Sequence, residues 1–385
     1  MAMAADSRNG GRQKERRRNS RSRGDVSVAR QKLTHTIDKG EISMKTMKNT
    51  RMKRLLAASL GTALLALSLT ACGTKESGSG SGDAKKPTIG VIQFAVHASL
   101  DNCYTGLLQG LEEAGYKDGE TCTIDFKNAQ GNTTTADQLA NNMAAKNYDM
   151  IVGIATPAAM SAYGAAKEKI PVVFCAVSDP MAENAKLVQS LEKTGVNCTG
   201  SSDRLNLDGQ LKMIRAFQPD AKKIGILYNT AEANSASNLA EIKKLAPSYG
   251  FEIVEKGVQS AADIPTAAAS LASQVDCINN FTDNLVVDNL SVVLERANAA
   301  KIPVYGSEIE QVSKGCLASE SLDYVALGKE TGLLAARVLK GEKAADTAVV
   351  LVKDSFPVYN ADVAARLGLT VPDAYASAQK VTTAG

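Results

Sequence analysis

The run Thr88-Ile89-Gly90-Val91-Ile92-Gln93-Phe94 is answered, 135 positions later, by Lys223-Ile224-Gly225-Ile226-Leu227-Tyr228. Both are near-continuous apolar runs of strand length. Each leads into an amphipathic helix that stops at a glycine, Gly115 and Gly250, and then into a second strand, residues 121–126 and 251–256. The parallel goes on. Tyr148-Asp149-Met150-Ile151-Val152-Gly153 corresponds to Val275-Asp276-Cys277-Ile278-Asn279-Asn280. Ala165-Ala166-Lys167-Glu168-Lys169-Ile170-Pro171 corresponds to Ala297-Asn298-Ala299-Ala300-Lys301-Ile302-Pro303, and each opens onto another strand, residues 172–176 and 304–306. Here the offset has drifted to 132, as short loop insertions and deletions produce. Apolar strands alternating with helices make a parallel sheet covered on both faces. A unit stated twice predicts an α/β fold of two doubly wound parallel-sheet lobes. The ligand cleft then lies between them, because open α/β sheets bind ligands beyond the carboxyl ends of their strands.

At 385 residues the chain is long enough for two domains. Its formal charge of +3 is misleading as a whole-chain figure. Residues 1–54 hold 16 Lys and Arg against 5 Asp and Glu, which leaves 28 basic and 36 acidic residues from Leu55 onward. The body is acidic, so electrostatics give no case for nucleic-acid binding.

The basic excess belongs to a leader. Arg51, Lys53 and Arg54 precede an uncharged run that ends in Leu69-Thr70-Ala71-Cys72. A positive segment, an apolar segment and small residues before a cysteine read as a lipoprotein signal, with Cys72 carrying the lipid. The run is shorter than the roughly 20 apolar residues that a spanning helix prefers. Residues 1–43 are polar and Arg-rich, and initiation at Met44, Met47 or Met52 would give a signal of ordinary length. The expected organisation is therefore residues 1–71 as basic extension and signal, and 72–86 as lipidated cysteine and Gly/Ser tether. Residues 87–202 plus 323–343 form the N-terminal lobe, and 203–322 plus 344–385 the C-terminal lobe. Of the remaining cysteines, Cys175, Cys198 and Cys277 sit in apolar strand-like runs and read as buried hydrophobes. Spacing leaves disulfide pairing open. With no CxxC pair and no His at ligand spacing, no metal and no cofactor is called for.

The repeat also names the cleft loops, which follow the first, third and fourth strand of each half. Thr156-Pro157 and Asp179-Pro180 both read as helix starts, and the free amides of such a start accept a carboxylate. Ser99 opens a helix in a comparable way. Simple capping needs the same residues, so capping and ligand contact both stay open for each. Asp283 and Asn284, in the matching loop of the second half, offer a carboxylate for an α-ammonium, and Glu308 is a second candidate acid. Phe94 and Tyr228 occupy matching positions and offer an aromatic wall, with core packing as the alternative. Enzyme motifs are lacking: there is no G-x-S-x-G, no P-loop and no G-x-G-x-x-G after a strand. His97 stands alone in its loop.

Several runs resemble the ABC-transporter substrate-binding lipoproteins of the tryptophan/tyrosine-binding type. They are Ile89-Gly90-Val91-Ile92-Gln93-Phe94, His97-Ala98-Ser99-Leu100-Asp101 and Val152-Gly153-Ile154-Ala155-Thr156-Pro157-Ala158-Ala159. Ser178-Asp179-Pro180, Asn197-Cys198-Thr199-Gly200-Ser201-Ser202-Asp203, Thr282-Asp283-Asn284 and the stretch 323–332 continue the likeness. It implies a type I periplasmic-binding-protein fold with three crossings between lobes, near residues 202–207, 319–323 and 343–348. The strand 349–352 would then fall in the second lobe. The candidate ligand-binding residues are Phe94, Ser99, Ala155, Thr156, Ser178, Asp179, Ser201, Tyr228, Asp283, Asn284 and Glu308. The expected ligand is an aromatic amino acid (tryptophan, tyrosine or phenylalanine). The expected partners are an ABC permease with its ATPase, and the membrane through Cys72. The protein is expected to be an extracytoplasmic, non-enzymatic monomer. A receptor subunit of the same fold, signalling to a membrane kinase, is the alternative.

Overall fold

The computed structural model describes residues 85–383 apart from residue 353. The expected leader, Cys72 and most of the tether lie outside those residues. The first lobe opens with β1 (Thr88–Gln93), α1 (Ala98–Glu113), β2 (Thr123–Asn128), α2 (Thr133–Ala145) and β3 (Met150–Ile154). It continues with α3 (Thr156–Ala166), β4 (Val172–Cys175) and β5 (Cys198–Ser202). The chain then crosses to the second lobe and runs through α4 (Leu207–Phe217), β6 (Lys223–Asn229), α5 (Ala233–Leu245), β7 (Glu252–Val258) and α6 (Ile264–Ala272). Next come β8 (Cys277–Asn279), α7 (Asn284–Asp288), α8 (Leu290–Ala300), β9 (Val304–Tyr305), α9 (Ile309–Lys314) and β10 (Ala318–Ser321). It returns as α10 (Tyr324–Leu339) and β11 (Val350–Leu351), and crosses once more to β12 (Phe356–Asn360), α11 (Ala361–Leu367) and β13 (Gln379–Val381).

The first-lobe sheet is wholly parallel, in the order β2-β1-β3-β4-β5-β11. The second lobe repeats the pattern as β7-β6-β8-β9, also parallel. Both follow the doubly wound logic in which the first strand lies between the second and third. Two departures from the expected architecture stand out. The second lobe adds a three-stranded sheet, β10-β12-β13, in which β10 and β12 are antiparallel. The Gly306 amide donates to the Ala318 carbonyl at 3.0 Å and the Leu317 amide to that of Val304 at 2.6 Å, so the two second-lobe sheets are nearly continuous. The strand expected in the second lobe at residues 349–352 instead lies on the first, with Val350 opposite Ser201. The third crossing therefore comes between β11 and β12 and not at residues 343–348.

Burial follows the sequence period. In β6, Ile224 and Ile226 face one second-lobe core with Ile214 and Ile242, while Leu227 faces the other with Leu271 and Ile278. The first lobe has one core around Ile89, Ile151, Val173 and Phe174. Its tightest contact is between α1 and α10. A Cβ on Gly110 would stand 2.1 Å from the Lys329 carbonyl oxygen, and one on Gly328 would stand 2.1 Å from that of Cys103. Two helix backbones meet there, so the first turn of α1 and the first residue of α10 hold fixed positions at the cleft. All six described cysteines are buried and free. Among the described residues no helix is long and apolar enough to cross a membrane.

Candidate functional site

Loops at the carboxyl ends of the strands converge on a chamber between the lobes. The first lobe supplies His97, Ser99, Leu100, Ala155, Thr156, Ala176 and Ser178. The second supplies Asn234, Thr282, Asn284 and Glu308, while Asp203 and Tyr324 enter from the two crossings. The room inside it is small, about 10 Å³ against the roughly 300–1,000 Å³ typical of small-ligand sites, so a ligand enters only as the lobes part. Its wall is polar although nearly every residue in it is buried.

The second-lobe helices α5 and α9 begin at it without a side-chain cap, and so do two helices of the first lobe. The residues that precede them, His97 for α1 and Ala155 for α3, make no capping hydrogen bond. Helices α2, α4 and α11, which begin elsewhere, are capped by Asn132, Asn206 and Asn360, and α10, whose first residue lines the chamber, is capped by Asp323. First-turn amides have no partner inside their own helix, so α1 and α3 present donors and a positive dipole end to the chamber. Thr156, expected as the N-cap of α3, is its first residue. Ala155 takes the cap position at φ +77°, and Ala176, at the end of the neighbouring strand, has φ +57°. Such conformations cost on the order of 1–3 kcal/mol for a residue with a Cβ and gather at ligand sites.

The charge is lopsided. Asp203 and Glu308 are 3% and 1% exposed, and no Lys or Arg is among the described residues lining the chamber. Burial pushes the Glu308 carboxyl up to about 7, and nearby Asp203 adds to the shift. Burial raises Asp203 too, against hydrogen bonds from Ser178 Oγ at 3.0 Å and Tyr324 OH at 3.2 Å. His97, lowered by burial, offers no compensating charge. Two desolvated acids facing one cavity are relieved by a cation between them. The arrangement therefore suits a small zwitterion, with its carboxylate at the helix starts and its ammonium at the acids.

Six expected residues meet in this wall: Ser99, Ala155, Thr156, Ser178, Asn284 and Glu308. Five others lie elsewhere. Asp283 caps α7 through the Val286 amide at 2.9 Å, and its other oxygen accepts from the Asn229 amide and from Ser235 Oγ. Both its oxygens are engaged by the protein. The ladder continues through Phe94, whose amide donates to the Ile154 carbonyl, so its ring joins the first-lobe core. Tyr228 lies within β6, which runs on to Asn229, and packs on the second-lobe core. The hydroxyl of Ser201 is paired with that of Thr331. Asp179 begins no helix: one oxygen accepts from the Met181 amide, and the other accepts from Ser237 Oγ of the opposite lobe at 2.6 Å. Of the wall residues that were not candidates, Asn234 and Thr282 stand in cleft loops that the repeat marked, and Asp203 stands at the first crossing between lobes.

Other bonds also bridge the lobes. Asn102 Nδ2 donates to Glu310 Oε1 at 2.7 Å, and His97 Nε2 lies 3.4 Å from Asn284 Oδ1.

Comparison with known proteins agrees with this geometry. The ABC domain in complex with L-Trp from Streptococcus pneumoniae is 36% identical, with a TM-score of 0.74 over 77% of this chain and 100% of that one. The ligand-free, open structure of a substrate binding protein with adhesive properties from Clostridium difficile is 38% identical. Its TM-score is 0.61, over 77% and 100% of the two chains. The Tyrosine-binding protein of Clostridioides difficile (strain R20291) is 37% identical over 318 residues, 81% of this chain and 91% of that protein. A family profile described as ABC transporter substrate binding protein matches residues 88–382. With a two-lobed parallel α/β body, a chamber at its strand ends and this likeness along almost the whole body, the chain belongs to the ABC transporter substrate-binding proteins.

Proposed function

We propose that the protein captures an aromatic amino acid (tryptophan, tyrosine or phenylalanine) in the chamber between its lobes and passes it to an ABC permease. The observation that carries this reading is that one small chamber holds uncapped helix starts together with two buried acids, Asp203 and Glu308. These are the two kinds of group that an amino acid's carboxylate and ammonium need. The ligand class is supported by relatives, one of which is a tyrosine-binding protein and another a complex with L-Trp. The chain is also nearer in shape to the L-Trp complex than to the ligand-free open protein, in keeping with lobes drawn together.

In this reading Asp203 takes the part first expected of Asp283, and the role is binding without turnover. The protein acts as a monomer outside the cytoplasm, held to the membrane by lipid on Cys72. Cys72→Ser should move it from the membrane fraction to the soluble one, and unchanged fractionation would count against the anchor. For the chamber, Asp203→Asn should weaken amino-acid binding at least about tenfold by calorimetry, the loss of one charged hydrogen bond. Unchanged affinity in a folded variant would remove the ammonium from that place.

A further inference from the structure

Glu232, 3% exposed and just before α5, is outside the chamber wall yet orders it. Its Oε2 accepts from Asn234 Nδ2 at 3.1 Å, from the Asn284 amide at 3.0 Å and from Asn284 Nδ2 at 2.7 Å. Its Oε1 accepts from the Leu285 amide and from Asn229 Nδ2. A carboxylate that accepts on every side forces both asparagine side chains to turn their NH₂ groups toward it. For Asn234 the choice is reinforced, because Nδ2 also donates to the Thr282 carbonyl at 3.2 Å.

The consequence is a wall of acceptors. Asn234 is 4% exposed, and its Oδ1, turned away from Glu232, finds no partner among the described residues. Asn284 Oδ1 can only accept, so the bond with His97 puts the ring proton on Nε2. That leaves His97 Nδ1 as a bare lone pair, buried and likewise without a partner. Both residues line the chamber. A buried acceptor left unmade is costly, and a site built to take a donor rejects an analogue that lacks it.

We propose that this wall reads an N–H or O–H donor on the ligand's side chain, so that the protein takes tyrosine and tryptophan and turns away phenylalanine, with Glu232 as the positioning residue. The inference rests on the aromatic amino acid reading above. All three candidates carry the same ammonium and carboxylate; only the phenol and the indole bring a side-chain donor. If the acceptors served the ammonium instead, phenylalanine would bind as well as the others.

Calorimetric titration with L-tyrosine, L-tryptophan and L-phenylalanine tests this. In the native protein the first two should bind at least about tenfold tighter than the third. Asn234→Leu should bring tyrosine and phenylalanine within about threefold of one another, by weakening tyrosine and sparing phenylalanine. Glu232→Gln frees the asparagines to turn and should also narrow that ratio, whereas a merely structural role would weaken all three ligands alike. Equal native affinities, or a folded Asn234→Leu protein that still discriminates, would overturn the proposal. Should Asn234→Leu fail to fold, an equal loss for all three ligands in Glu232→Gln would do the same. If none of the three binds the native protein, the aromatic reading itself fails and this inference falls with it.

Discussion

At the scale of single residues, what separates Asp203 from Asp283 is not burial, since both are buried, but what each has left to offer. Asp283 accepts from two backbone amides and a hydroxyl, while Asp203 accepts from Ser178 and Tyr324 and still faces the chamber. Asp283→Ala should therefore cost about 2 kcal/mol of stability in urea unfolding and leave ligand affinity within a few-fold. A selective loss of affinity would return it to the site. Sequence could mark the loop 281–284 but not which of its side chains turns inward. Asp283, Asn284 and Thr282 are all polar, and the capping bond that withdraws Asp283 is a matter of local geometry. The acids also set a pH dependence. Glu308 titrates near 7 because burial disfavours its charge, and an ammonium binds the charged form. Affinity should rise as pH climbs from about 6 to 8, and Glu308→Gln should flatten that rise. A pH-independent native affinity would take Glu308 out of the ammonium's reach.

At the scale of elements, the meeting of α1 with α10 sets where the chamber begins. A methyl group added at Gly110 or Gly332 would stand 2.1 Å from the Lys329 carbonyl oxygen or 2.3 Å from that of Leu107. Gly110→Ala and Gly332→Ala should each destabilise the protein by roughly 1–3 kcal/mol through overpacking, as read by chemical denaturation. Neutral substitutions would mean the helices can separate freely. The strands themselves were legible: β1, β3, β4 and β6 lie within a residue or two of their apolar runs, because strands buried on both faces leave an unbroken signature. What escaped were features whose cause is tertiary. The two-residue β11 has no period of its own, and only the open edge of β5 decides its lobe. Asp179-Pro180 carries the same helix-start signal as Thr156-Pro157, but Asp179 bonds the Met181 amide and Ser237, and the chain turns instead.

At the scale of the whole molecule, three side-chain bridges join the lobes around the chamber: Asp179 with Ser237, Asn102 with Glu310, and His97 with Asn284. None belongs to a hinge strand, so each weights the closed arrangement over an open one. Removing two at once, as Asn102→Ala with Ser237→Ala, should enlarge the radius of gyration of the ligand-bound protein in X-ray scattering and weaken binding by up to about tenfold. Unchanged scattering and affinity would show that the ligand alone holds the lobes. Because the chain contains no tryptophan, the central claim has a direct test. L-Tryptophan titrated into the protein, with excitation selective for indole, reports only on the ligand. A saturable blue shift is expected in the native protein, with an affinity at least about tenfold weaker in Asp203→Asn. A native protein that leaves the indole emission unchanged would contradict that claim.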